Sequence, residues 1–462
     1  MTISRPSSEK LKKSLSIAAI AASAIGLTLI TASPAAAATH TVCASGCDYT
    51  TIQAAVTAST AGDTITVGAG TYNEVVTIDK NITILGPNAS ISPNAATPPA
   101  ANSARVAEAI VNPPSGQDND AFKVINPAAS VTISGLTIDM AGAVGYTGGG
   151  SVGQQFLSWQ SAPASAILTL NNNILTGGDW ATEGKLVFKS TSGNSAFVAT
   201  NNRIFNGGFS NGWFINNAST NANLNLTITN NVWLDNAYLA ANIGSGNGTT
   251  IIGNIKNNWI GNSTPGTSGV DNYDSRQAGF LFAGEAAGLQ FTNNTFKDIE
   301  DVAIYFGYGY SGPMTISDNI IDGYSNVSGR AAVMTRTSDA NGLNDVSQVT
   351  FTGNSITGPT VDSTAVLNDL SKNFGVLDAR GNWWGTATPD FNTLVDLDNV
   401  NHPGAGNFSV LVDGWLTTDP NAQLAETGSE FTGQIIAISF GFLLAGGAIL
   451  IFATRKRKQL NG

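Results

Sequence analysis

The sequence predicts an all-β chain wound into a parallel β-helix, and three observations carry that prediction. A short string recurs through the middle of the chain, charged residues make up only 11% of it, and Gly and Asn are too dense for long helices. The copies are LTLNNNIL (168–175), FVATNNRI (197–204), LTITNNVW (226–233), LQFTNNTF (289–296), MTISDNII (314–321), VTFTGNSI (349–356) and LDARGNWW (377–384). GNIKNNWI (253–260) and VTISGLTI (131–138) are weaker copies.

Each copy runs apolar-x-apolar, then two polar or glycine positions, then Asn, then a partly apolar stretch. The Asn falls at Asn173, Asn202, Asn231, Asn258, Asn294, Asn319, Asn354 and Asn382, with Leu136 in its place in the ninth copy. Successive intervals are 29, 29, 27, 36, 25, 35 and 28 residues. Alternation, a corner and renewed alternation is the pattern of short strands. One copy cannot bury its apolar row alone; stacking copies at about 4.8 Å closes the backbone ladder and makes a continuous core. The corner Asn is expected to tolerate the left-handed conformation and to bond the same Asn one coil away. Varying intervals imply loops of different length leaving one or two corners.

Taken in chain order, the first element is a leader. Arg5, Lys10, Lys12 and Lys13 precede an apolar run from Leu15 to Ile30, and small residues stand at Ala36 and Ala38. A basic flank, a short apolar core and an Ala-x-Ala exit describe a signal peptide over 1–38, cut by signal peptidase after Ala38. The only cysteines, Cys43 and Cys47, read as a small disulfide loop in an exported chain, with a CxxxC metal half-site as the alternative.

Residues 49–86 hold a short helical stretch, Ile52 to Ser59, with Thr50 or Thr51 as N-cap, then strands over 63–67, 72–78 and 81–85. This opening resembles that of pectin-lyase-like right-handed parallel β-helix proteins, in which a helix caps the first coil. GNWWGTATPD (381–390) resembles a segment near the last coils of bacterial members. The resemblance spans about 49–390. It implies a right-handed, single-stranded parallel β-helix over 39–416, with an N-terminal cap over about 43–86. Residues 87–119, rich in Pro, Asn and Ala, read as one long loop.

The last segment, 417–462, reads as linker, sorting motif, span and tail. Ile435–Thr454 is uncharged and long enough to cross a membrane as a helix, and Arg455 to Lys458 place the end beyond it in the cytoplasm. Leu424, Ala425, Glu426, Thr427 and Gly428 stand just before the span. The arrangement resembles the LPxTG-type sorting signal of Gram-positive cell-wall proteins, with Ala425 where the commonest version has Pro. It implies cleavage by a sortase between Thr427 and Gly428, covalent attachment to peptidoglycan, and a membrane anchor that lasts only until that cut.

Eight of the 21 basic residues and two of the 32 acids (Glu9 and Glu430) lie in the two ends, so 39–427 keeps 13 bases against 30 acids, a net of −17. That balance argues against nucleic acid or anionic lipid as a partner, because phosphate binding needs clustered Lys and Arg.

Members of the resembled family include polysaccharide lyases, glycoside hydrolases, esterases and adhesins. The chain lacks Asp-Asp, Gly-His-Gly and Asn-Thr-Asp, strings that a hydrolase of the family implies. A calcium-dependent lyase needs Asp oxygens for the ion and an Arg or Lys as base. Asp271, Asp274 and Arg276, with Asp298, Glu300 and Asp301, occupy adjacent repeats. With Tyr305 and Tyr308 they define a candidate groove for glycans or Ca²⁺, since rings pack on sugar faces and carboxylates bond hydroxyls. Solvated loop charges are the plainer reading of the same residues. Missing signatures favour a wall-anchored adhesin or carbohydrate-binding surface protein. A polysaccharide-degrading enzyme with a divergent site is the alternative.

Overall fold

The structure, a computed structural model, describes residues 36–114, 120–140, 155–177, 185–205, 212–235, 239–246, 248–262, 278–324, 330–336, 344–359, 364–369, 373–396 and 408–421. The leader core, Leu424 to Gly428 and the span 435–454 lie outside the described residues.

Strands visit three sheets in rotation. Leu157–Ala162 belongs to an 11-stranded sheet, Ala166–Asn171 to a 15-stranded sheet and Ile174–Thr176 to a 10-stranded sheet, here called the third, first and second. The next coil repeats the order, and each strand pairs in parallel with its counterpart. The three parallel sheets are consistent with a right-handed parallel β-helix.

The period of two explains each wall. Leu168 and Leu170 are buried while Thr169 between them faces outward, and the register Leu168↔Phe197↔Leu226 stacks like on like. Each such side chain contributes about 1.5–3 kcal/mol by leaving water. Aromatic rings run through the coils in contact, from Trp159 through Phe188, Phe197, Trp213 and Trp233 to Phe280.

In the repeat copies from 131 onward the corner between the first and second sheets is two residues, whereas 86–108 intervene between Ile82–Leu85 and Ala109–Val111. The residue before the repeat Asn, not the Asn itself, takes the left-handed conformation: Asn172 (φ 56°), Asn201 (56°), Asn230 (58°), Asn257 (56°), Asn293 (54°) and Asp318 (59°). Only a side chain pointing inward from the second position can reach its neighbours. There, Asn173 donates both its N–H and its Nδ2 to Oδ1 of Asn202, at 3.0 and 3.1 Å. The same pair of bonds recurs from Asn202 to Asn231 and onward to Asn382. Each Nδ2 also donates to a carbonyl one coil back, as Asn231 does to Ala199 at 2.9 Å. Buried amides are thereby satisfied without water.

The helix Ile52–Ala58 closes the first coil, with Thr51 as its N-cap. Both Glu74 oxygens accept backbone N–H groups at its start, from Ile52 and Gln53, at 2.8 Å. Gln53 Oε1 accepts from Thr77 N–H at 2.6 Å, so a side-chain amide continues the ladder beyond the terminal strand Val76–Ile78. Lys80 donates to the carbonyls of Val56 and Ser59 at the helix end. Cys43 and Cys47 form a disulfide beside this cap.

Two expectations need correction. Residues 72–78 are not one strand: Gly70–Tyr72 lies in the second sheet and Val76–Ile78 in the third, because the chain turns between them to bring Glu74 to the helix. Residues 87–119 are not one loop either, since Ala109–Val111 is a second-sheet strand. The part before it lies along the corner, held by Asn94 Nδ2 on the carbonyls of Asn202 and Asn230 and by Arg105 on that of Asn172.

Candidate functional site

Of the described candidates, Tyr305 lies on the outward face of the third sheet and Asp301 at its edge. Its strands present one aligned row, Phe214, Asn242, Leu281, Tyr305, Met334 and Leu367, each in register with the next. The alternate residues Trp213, Ile215, Ile243, Phe280, Phe282, Ile304 and Phe306 point into the core. Leu281 packs with Leu239, Ala278, Ala283 and Tyr305 in a small apolar cluster separate from the main core. Phe214, Asn242, Tyr305 and Leu367 are half-buried, and the Lys189 ammonium sits 5.9 Å from the Phe214 ring centre. Leu281 and Met334 are buried, so the row reaches solvent at Phe214, Asn242, Tyr305 and Leu367: two rings, an aliphatic group and one carboxamide.

Asp301 stands at the edge where the chain enters this sheet. Its Oδ1 meets Arg330 Nε at 2.7 Å, and the two side chains are only 13% and 12% exposed. They precede Ile304–Gly307 and Val333–Arg336, strands whose register Ile304↔Val333 brings the pair level across adjacent coils. The carboxylate is thus held in a charge-assisted pair. Arg330 was not a sequence candidate; its partner follows from coil register and from no local motif.

Other candidates take different places. Asp298 adopts the left-handed conformation (φ 52°) at the end of a second-sheet strand, and its carbonyl accepts from Asn262 at 2.9 Å, so it serves the turn. Glu300 is buried. Tyr308, also left-handed, is 49% exposed beyond the far end of the face. Asp271, Asp274 and Arg276 lie outside the described residues. Among the described residues, no three His, Cys, Asp or Glu side chains gather to hold a metal ion. Nearby Tyr310 is core: its hydroxyl donates to Gly312 O at 3.1 Å, and burial raises its pKa above the usual phenol range.

A concavity of about 610 Å³ is lined by residues of 92–98, by the corner residues Asn201, Asn230, Asn257 and Asn293, and by Trp259 and Thr295. Its lining carries no charge.

No protein-family model and no curated protein matches the chain. Among solved structures, the family 28 exopolygalacturonase of Yersinia enterocolitica is similar at 12% identity and a TM-score of 0.38, over 80% of this chain and 75% of that one. The A-module of the Azotobacter vinelandii mannuronan C-5 epimerase AlgE6 is similar at 13% identity and a TM-score of 0.36, over 80% and 93%. Likeness at that level says nothing about the chemistry of this site.

Proposed function

We propose that the chain is an exported surface protein, fixed to a Gram-positive wall through Leu424–Gly428, whose third-sheet face binds glycans as an adhesin does. The observation that supports the binding reading is the aligned row Phe214, Asn242 and Tyr305 with the Asp301–Arg330 pair at its edge. Phe214 and Tyr305 stand three coils apart on one row, so each ring suits the apolar face of a separate sugar along an extended chain, and the carboxamide and ion pair suit hydroxyls. A carboxylate already engaged by a guanidinium suits hydrogen bonding better than proton transfer.

The test is a glycan array probed with the wild type and with Phe214→Ala and Tyr305→Ala, each checked for folding. Loss of the same glycans in both variants is the expected outcome; unchanged binding sinks the reading. Incubation with pectate and alginate, with and without Ca²⁺, checks for turnover. Unsaturated or shortened products would favour the enzyme instead. Release of the protein from purified walls by a peptidoglycan hydrolase tests the anchoring.

A further inference from the structure

The first coil holds a buried carboxylate whose partners point to how the mature chain begins. Asp63 is 2% exposed. Its Oδ2 accepts from the N–H and hydroxyl of Thr60, at 2.7 and 3.0 Å, and lies 3.3 Å from His40 Nε2. Its Oδ1 accepts from the backbone nitrogen of Ala38 at 2.7 Å. Ala38 is also the first residue tied into the sheet, since its carbonyl accepts from Thr64 N–H at 2.8 Å. Residues 36–39 are exposed, so a chain end there can be accommodated without displacing the core.

A buried carboxylate is costly unless a cation faces it, and here the facing groups are neutral amides, a hydroxyl and a histidine that is charged only when protonated. The alanine run 35–38 offers an Ala-x-Ala exit in two registers, Ala35/Ala37 and Ala36/Ala38. Hydrolysis after Ala38 removes both the nitrogen on Asp63 and the carbonyl on Thr64. Hydrolysis one bond earlier keeps both.

We propose that signal peptidase cuts the Ala37–Ala38 bond, and that the new ammonium of Ala38 becomes the counter-ion of Asp63. Water supplies the oxygen that makes Ala37 a carboxylate, and the nitrogen of Ala38 leaves protonated. An amide–carboxylate bond becomes an ammonium–carboxylate pair, a stronger class of contact. The peptidase meets an unfolded chain, so the fold acts on the product: it shields Ala38 from further trimming. The inference rests on the export reading and moves the cut one residue upstream of the position expected from sequence.

Amino-terminal sequencing of the full chain exported from a Gram-positive host is the test. Sequencing is expected to start Ala-Thr-His-Thr at Ala38. A start at Thr39 or at another nearby alanine overturns the inference and leaves export standing; an intact Met1 sinks the export reading with it. Ala35→Leu, which spoils one register alone, is expected to abolish the Ala38 start, whereas Ala36→Leu leaves it unchanged. An Ala38 start that survives Ala35→Leu overturns the assignment.

Discussion

Leu136 donates its backbone N–H to the Oδ1 of Asn173 at 3.1 Å, so the amide ladder ends on a residue with no amide of its own. The ladder is directional: each Oδ1 serves two donors of the coil before it. Asn231→Leu would orphan the buried N–H of Asn202, cost its Nδ2 one of two acceptors (Leu170 O remains) and remove a donor from the carbonyl of Ala199. Asn173→Leu would orphan one N–H, that of Leu136, and the carbonyl of Ile133. Urea denaturation should show a loss of about 3 kcal/mol or more for Asn231→Leu and a clearly smaller one for Asn173→Leu. Equal losses would mean that the ladder is not directional in its energetics.

The Asp301–Arg330 pair is mostly buried, so removing one partner takes the matching charge from the other. Arg330→Ala is expected to destabilise the chain by about 3 kcal/mol, with Asp301→Asn combined with Arg330→Met recovering part of it. A double-variant cycle read by denaturation checks this, and purely additive effects refute it.

Acid should attack the first coil early. Backbone N–H bonds from Thr60 and then Ala38 pull the Asp63 carboxyl down to about 2, and the Thr41 N–H pulls Asp48 down as well. A depressed carboxylate contributes stability that is whole above its unfolded value and is lost as pH falls through its folded one. The melting temperature should therefore fall between about pH 4 and pH 2, and Asp63→Asn should make that fall shallower. An unchanged slope in the variant would remove Asp63 from the account.

Gln53 covers the open edge of the third sheet. Gln53→Ala leaves the Thr77 N–H and the strand Val76–Ile78 without that cover, and bare strand edges pair with other chains. Light scattering should show concentration-dependent self-association in Gln53→Ala and none in the wild type.

The first and second sheets were legible in the sequence because their strands alternate cleanly around a fixed corner, as at Leu168, Thr169 and Leu170. Third-sheet strands were not. Leu186, Val187 and Phe188 are all buried, so no alternation marks them, and loops of unequal length destroy any constant distance to the corner. Which corner residue turns left-handed was also hidden, because both positions are often Asn, as in Asn172 and Asn173. The candidate site was readable only on one side: Asp301 and Tyr305 stand in a conspicuous string, but Arg330 reaches Asp301 through coil register. Register depends on loops whose lengths carry no local code.

The two-residue corner has a consequence for how such a chain can change. Between the first and second sheets no copy gains or loses a residue, while intervals between copies range from 25 to 36. Every length difference among these copies is therefore absorbed on the other connections, those that border the third sheet, and only the first-coil excursion 86–108 departs from that rule. Insertions there alter what surrounds the outward face of that sheet and leave the pitch of the coil untouched. Lineages can thus vary the rim of the face without renegotiating the architecture that carries it.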